Sequence, residues 1–303
     1  VGYGIDGYDL GTFGDNRWIV TWSESNEIWA QMYNAANQLD GVKFQVNSET
    51  SGNQRYPRMA TLSGGRFVIV WRSYKTGHWQ LRGQVFKASG NKLGVEFAIH
   101  DEDAVHNEYQ VVEYNQETET FAVVWQANDS NGNGIFGRRF DKNGFAITDT
   151  VSLNLKEAGN QRYPGMETLS TGELVVGWMG DDHHVYARKF DEAWNPIEDV
   201  AETAVNTNAQ NDQVLQDSAS LTDSTLVAVW TETNNDDGNS EVRARIVNAV
   251  EPSESVDFTV NETVDYWQLN PEVSSDTAGN FVVVWDSFGQ DGDAEGVFMR
   301  RYN

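Results

Sequence analysis

The hydrophobic positions of this chain fall into short runs that recur at a regular interval. Six of them end in tryptophan: RWIVTW at Trp22, RFVIVW at Trp71, TFAVVW at Trp125, ELVVGW at Trp178, TLVAVW at Trp230 and NFVVVW at Trp285. Successive tryptophans stand 49, 54, 53, 52 and 55 residues apart. The runs are rich in β-branched and aromatic residues, too short for helices, and mostly preceded by Gly, Asp or Asn, so each predicts a strand. Their near-continuous apolar character predicts burial on both faces.

The pattern around each tryptophan repeats as well. Upstream lies a short strand such as PRMATLS, PGMETLS or PEVSSDT. Downstream, past a polar loop, comes a third strand: IWAQMY, LRGQVF, IFGRRF, VYARKF, VRARIV and VFMRRY. Its third position is small in five copies (Ala30, Gly83, Gly137, Ala187, Ala244) and Met299 in the sixth, which predicts close approach of neighbouring sheets. Its last position is aromatic in five of the six. A fourth strand closes on Asn47, His100, Asn154, Asn206 or Asn261.

Four antiparallel strands per unit, six times over, predict an all-β six-bladed β-propeller spanning residues 1–303 as one domain. A linear array of the same units would leave two exposed sheet ends. The sixth unit stops after VFMRRYN, so the last blade is expected to lack a strand, and its edge becomes a candidate for self-association. The chain opens on VGYGIDG, without Met or a signal-peptide pattern, and reads as a processed form or a fragment.

In FQVNSETSGNQRYPRMATLSGGRFVIVW and GIFGRRFDKNG the unit resembles the repeats of large secreted bacterial surface proteins, including calcium-binding RTX-type adhesins. The resemblance covers nearly the whole chain and implies an extracellular location with a binding or scaffold role. The glycine-rich nonapeptide of RTX calcium rolls is absent, so that cation mechanism is not implied.

Charge narrows the partners. With 46 acidic and 21 basic residues the net charge is −25, which disfavours nucleic acid and anionic membranes and suits divalent cations or saline surroundings. The absence of Cys excludes disulfides, thiolate metal sites and Cys nucleophiles. No apolar run approaches the roughly 18 residues of a membrane span.

Candidate chemistry comes from positions that repeat and from positions that break the repeat. Seventeen residues before each tryptophan stand Ile5, Gln54, Glu108, Gln161, Gln213 and Gln268, where the chain enters each innermost strand. A ring of amides there could hold a sugar, an ion or a peptide; alternatively each ties its own loop to backbone. In NDSNGNG, Asp129, Asn131 and Asn133 alternate as oxygen ligands of Ca²⁺ do. Asp236 and Asp237, and Asp291, Asp293 and Glu295, form looser versions. The same residues also simply make hairpin turns. Trp79, Trp194 and Trp267 lie outside the repeat, either as stacking faces for carbohydrate or as caps on blade ends. Arg138, Arg188, Arg245 and Arg300 share one column with Gln31 and Gln84 and are read as ion-pairing with acidic loops. His183–His184 follows Asp181–Asp182, a transition-metal pair or a polar turn. No H-E-x-x-H, G-x-S-x-G or phosphate-binding glycine loop is present.

The expected function is a secreted recognition or adhesion module for a glycan or cell-surface ligand, with Ca²⁺ as candidate cofactor. The alternatives are a glycan-active hydrolase or lyase using carboxylates such as Glu108, or a self-assembling structural protein. The hexapeptide GNQRYP occurs at Gly52–Pro57 and again at Gly159–Pro164. Its Arg55, Tyr56, Arg162 and Tyr163 depart from the repeat and are the first place to seek function.

Overall fold

The computed structural model describes residues 7–75, 77–100, 107–155, 158–169, 171–197, 202–222, 225–234, 238–248, 256–292 and 294–303. The fold is a six-bladed β-propeller: the described residues form six antiparallel sheets, five of four strands and one of three, with only a 3-10 turn at Ser63–Gly65 besides among them. The sheets group into two compact units, Val1–Asp129 with Phe136–Ser152, and Ser130–Ile135 with Leu153–Asn303.

In the first unit, blade one is β1 (Tyr8–Thr12), β2 (Trp18–Glu24), β3 (Glu27–Tyr33) and β4 (Leu39–Gln45). Blade two is β5 (Asn53–Thr61), β6 (Phe67–Lys75), β7 (His78–Phe86) and β8 (Lys92–Ala98). Blade three is β9 (Glu108–Asn115), β10 (Thr120–Asn128), β11 (Asn133–Asp141) and β12 (Val151–Ser152). In the second unit, blade four is β13 (Gln161–Thr168), β14 (Leu174–Gly180), β15 (Val185–Phe190) and β16 (Thr203–Ala204). Blade five is β17 (Asp212–Ser220), β18 (Thr225–Thr233), β19 (Ser240–Asn248) and β20 (Phe258–Thr259). Blade six is β21 (Gln268–Ser275), β22 (Phe281–Phe288) and the edge strand β23 (Glu295–Tyr302).

The repeated tryptophans form the core, as their apolar context dictates. Trp71, Trp125, Trp178 and Trp230 are fully buried and Trp285 nearly so. β6 and β10 are buried over almost their whole length, but β2 and β22 alternate between buried and half-buried residues. Burial on both faces therefore holds for blades two, three and five, in part for blade four, and not for blades one and six, and Trp22 is only half-buried.

The aromatic residue closing the third strand has a definite partner. It stacks on an aromatic residue at the start of the second strand: Trp18 on Tyr33 (3.9 Å), Phe67 on Phe86 (4.9 Å), Phe121 on Phe140 (5.1 Å) and Phe281 on Tyr302 (4.6 Å). Such a pair adds about 0.5–1.5 kcal/mol beyond area burial. The small third position serves the same blade: a Cβ on Gly83 would meet the Phe97 ring of β8 at 2.7 Å.

The Asn that closes the fourth strand reaches back to the third. Its Oδ1 accepts from a buried backbone amide: Ile28 for Asn47, Ile135 for Asn154, Val185 for Asn206 and Val242 for Asn261, at 2.7–2.8 Å. In blade two the Nε2 of His100 accepts from Leu81 N at 3.0 Å and does the same work. Short fourth strands such as β16 and β20 are thus fastened by side chains as well as by ladder bonds.

The arginine column also fastens strands, through backbone carbonyls as well as through the expected ion pairing, which Arg300 makes with Glu262 at 3.4 Å. Arg138 donates to the carbonyl of Ile99 (3.3 Å), Arg188 to Leu153 (2.6 Å) and Arg300 to Val260 (2.9 Å); Arg245 bonds Val205 O in the same way. Each acceptor immediately precedes the closing His or Asn of the preceding blade. A guanidinium can reach those carbonyls; Gln31 and Gln84 are shorter and bond carbonyls of their own blades.

Candidate functional site

Near its start each inner strand from blade two onward is interrupted by a register shift, between Arg55 and Arg58, Glu108 and Val111, Arg162 and Gly165, Leu215 and Asp217, and Leu269 and Glu272. At these bulges Tyr56, Tyr109, Tyr163 and Asn270 have left-handed backbone, with φ of 51–54°. Gly7 holds the equivalent place before Trp22, with φ 88°, where glycine alone is free of strain. For a tyrosine this conformation costs about 1–2 kcal/mol. Three of the four residues precede a proline (Pro57, Pro164, Pro271), which has no N–H to lose from the broken ladder. A bulge re-aims a side chain out of the sheet.

In the first unit the re-aimed residues converge. Arg72, the first residue after the repeated Trp71, is buried, and its guanidinium carbon lies 4.4 Å from the Tyr56 ring centre and 4.7 Å from that of Tyr109. Both tyrosines remain over a third exposed, at 37% and 39%. Arg72 Nε donates to Oε1 of buried Gln110 at 3.3 Å, and Glu108 lies 3.9 Å from its Nη1. Gln110 in turn donates to Tyr56 O, fixing one bulge to the next blade. Burial lowers the pKa of Arg72, and the Glu108 carboxylate opposes that shift. Across the ladder Arg72 stands directly opposite Arg55. Like charges in that register are destabilising, and stacking on two aromatic rings returns part of the cost.

The second copy of the hexapeptide is built differently. Arg162 faces Met179 across the ladder and pairs with Asp181 at 3.5 Å. Asp181 also accepts from the backbone and side-chain nitrogens of Asn160. Tyr163 is half-buried. The two sequence copies therefore mark one arginine–tyrosine cluster and one neutralised turn.

The glutamine column lies inside. Gln54, Gln213 and Gln268 have no exposed surface, and Gln161 is 2% exposed. Gln54 and Gln268 accept from the indole nitrogens of Trp71 (3.0 Å) and Trp285 (2.9 Å), and all four donate to loop carbonyls two or three residues upstream. This is the backbone-tying arrangement, with no amide ring open to a ligand. Glu108, the odd member of the column, is half-buried and belongs to the Arg72 cluster.

Among the other aromatics, Trp194 is buried against Phe190. Trp79 is half-buried, edge-on to Tyr74 at 5.1 Å. Trp267 is 54% exposed and, with Tyr266 and Phe288, forms an open aromatic platform on blade six; its indole donates to Gly238 O at 3.1 Å. Asp129 is half-buried at the end of blade three's Trp strand, Asn131 is exposed in the following loop, and Asn133 opens β11. Asp291 is exposed in the loop before β23. Asp236, Asp237 and Asp293 lie outside the described residues. Among the described residues, no three His, Asp or Glu side chains form a group that could hold a metal ion. His183 and His184 diverge, toward Asp212 (2.8 Å) and Asn206 (3.3 Å). A cleft of about 480 Å³ sits at the opposite end of β5, near Leu62, Gly64 and Tyr114, and its one charged side chain, Asp15, is paired with Arg17 at 2.8 Å.

The sequence singled out Tyr56, Arg55 and Glu108 but not Arg72, Tyr109 or Gln110. A signal existed: the residue after the repeated Trp is Ser23, Gln126, Met179, Thr231 or Asp286 elsewhere, and Arg only at Arg72.

No protein-family model matches the chain, and no curated protein matches it. Solved structures do resemble its fold. A Dyadobacter fermentans protein described as of unknown function aligns with a TM-score of 0.67 at 10% identity, over 98% of this chain and 95% of its own. A polysaccharide lyase, an ulvan lyase bound to a GlcA(1-4)Rha3S unit, gives 0.67 at 11% identity over 96% and 79%. The α-L-arabinanase of Penicillium chrysogenum, in complex with arabinobiose, gives 0.62 at 11% over 98% and 93%. At these identities the likeness is one of fold. No helix among the described residues is long and apolar enough to cross a membrane.

Proposed function

We propose that this protein is a glycan-active propeller acting outside the cell, with its site at the Arg72 cluster of blades two and three. One observation carries the reading: a buried arginine clasped between two half-open tyrosines, beside a carboxylate, on strands that accept backbone strain to place them. Aromatic faces offer stacking for sugar rings, while arginine and carboxylate supply the polar anchors. The carbohydrate enzymes among its structural neighbours support this reading, and they favour cleavage over mere adhesion. A hydrolase would need two carboxylates about 5–9.5 Å apart; an elimination needs a cation to steady the developing charge and a base, roles that Arg72 and a flanking tyrosine suit.

The test is incubation with a panel of acidic and neutral polysaccharides, following reducing ends and the ultraviolet absorbance of unsaturated products in parallel. Products with the absorbance assign a lyase and products without it a hydrolase, and either should vanish in Arg72→Gln. Binding without any product leaves the recognition module expected from the repeats, for which the Trp267 platform gives a second contact surface. No binding and no product from any member of the panel would refute the proposal. Calcium belongs to the same proposal as a candidate ligand of the Asp129–Asn133 loop, and a melting temperature unmoved by added Ca²⁺ would remove it.

A further inference from the structure

Blade six ends on an edge unlike the outer edges of the other blades. β4 and β8 break register against their third strands and carry left-handed glycines, Gly41 (φ 79°) and Gly94 (φ 71°). β12, β16 and β20 are two residues long. Bulges and short strands are ordinary ways of blunting a sheet edge. Among the described residues β23 is the outermost strand of its sheet, eight residues long and without proline. Its register with β22 is unbroken from Phe281–Tyr302 to Phe288–Glu295. In the other five blades the residue aligned with Val297 turns both backbone groups away from the second strand. Ile28, Leu81, Ile135, Val185 and Val242 each donate to the closing side chain and accept from the residue before it. By the alternation of an antiparallel ladder, Glu295, Val297, Met299 and Arg301 therefore present their N–H and C=O groups outward. Their side chains share one exposed face, Val297 at 77% and Met299 at 71%. A fourth strand of the repeat's own kind does not fit there. Elsewhere the small third position faces Phe44, Phe97, Val151, Thr203 or Phe258, whereas blade six sets the long side chain of Met299 in that place.

We infer that β23 pairs antiparallel with β23 of a second copy of this chain, about a two-fold axis at Phe298. The strand is self-complementary in that register. Glu295 falls opposite the partner's Arg301, and Val297 opposite the partner's Met299. Gly296 leaves room for the partner's Arg300, and Phe298 meets the partner's Phe298 where opposed side chains come closest. Val297 and Met299, whose backbone groups point outward, exchange the hydrogen bonds. A slip of one residue sets outward groups against inward ones. A slip of two sets Val297 opposite Arg301 or Glu295 opposite Met299, and either separates the charges. The field of Arg301 also reaches Asp276, and the pairing adds Glu295 as a second carboxylate beside it.

Sedimentation velocity of the whole chain reads the association, in about 0.15 M salt so that repulsion between two acidic copies is screened beyond about 8 Å. The expected result is a dimer whose share grows with concentration up to about 200 µM, since strand pairing alone buries a modest area. Met299→Pro removes an outward N–H without touching the ladder to β22 and should abolish the dimer. Arg301→Glu sets two carboxylates opposite each other twice per dimer and should weaken association by about tenfold or more. Glu295→Arg should do the same with two cations. The double variant Glu295→Arg, Arg301→Glu restores opposite charges and should return the affinity to within about threefold of the original, a recovery that a misfolded variant cannot give. A monomer throughout, a dimer indifferent to Met299→Pro, or a double variant no better than the single ones would each overturn the inference. A monomer that binds a synthetic DFTVN peptide, the sequence of Asp257–Asn261, would overturn it in favour of a fourth strand at this edge. The glycan reading stands or falls apart from these results.

Discussion

Asn261→Ala tests whether the closing asparagine fastens each blade. Asn261 is 4% exposed; its Oδ1 accepts from Val242 N at 2.7 Å and its Nδ2 donates to Thr263 O at 2.9 Å. Val242 has no exposed surface, so truncation strands its amide in a dry interior. An unsatisfied buried donor costs about 1–3 kcal/mol. Thr263 is half-buried, and its carbonyl can turn to water at little cost. The expected loss is about 2 kcal/mol, or about 4 °C in melting temperature for a chain of this size. Asn261→His should recover much of it, because His100 holds the same position in blade two and its Nε2 accepts from Leu81 N at 3.0 Å. Urea unfolding monitored by tryptophan fluorescence measures both variants, with an unchanged slope showing that stability alone has moved. A cost below about 0.5 kcal/mol for the alanine, or a histidine as damaging as the alanine, would refute the reasoning.

Glu167 carries a pH signature. Burial, and secondarily the charge of Asp217, push its carboxyl up to about 7, against a hydrogen bond from Ser220 N. Its folded state favours the protonated form, so stability should decline as pH rises from about 4.5 through about 7, by as much as about 3 kcal/mol. Glu167→Gln should abolish that share of the decline between pH 5 and pH 8; an identical pH profile in the variant would contradict it. Tyr56→Gly should leave stability within about 1 kcal/mol, because release of left-handed strain offsets lost packing, yet it should weaken glycan binding clearly. A variant that keeps full affinity would place the ligand elsewhere. Arg188→Ala should destabilise by about 1–2 kcal/mol through loss of its bond to Leu153 O. Arg188→Gln should cost less, since Gln31 and Gln84 satisfy themselves within their blades; equal costs on chemical denaturation would argue against that difference.

The division between sequence and tertiary structure follows from the range of the forces involved. Strand identity, the six-fold repeat and the three-stranded last blade were legible because apolar periodicity and turn residues act locally, and every copy restates them. The closing asparagines and the terminal aromatics were visible as columns, although their partners lie across the sheet and could not be read from spacing. The glutamine column left two readings open for the same reason: spacing does not tell an amide open to a ligand from one tied to backbone, and Trp71 and Trp285 meet Gln54 and Gln268 only when the hairpin folds. The candidate site was half visible. Tyr56 and Arg55 broke the repeat, whereas Arg72 followed a core tryptophan and Tyr109 sat in a different blade. What joined them was the bulge at the start of each inner strand, which turns one side chain out of its sheet and toward the next. Sequence determined where the blades are, because hydrophobic pattern alone requires them. Tertiary structure decided which of two identical hexapeptides holds an arginine between tyrosines, because only packing sets a residue of one blade against the residues of another.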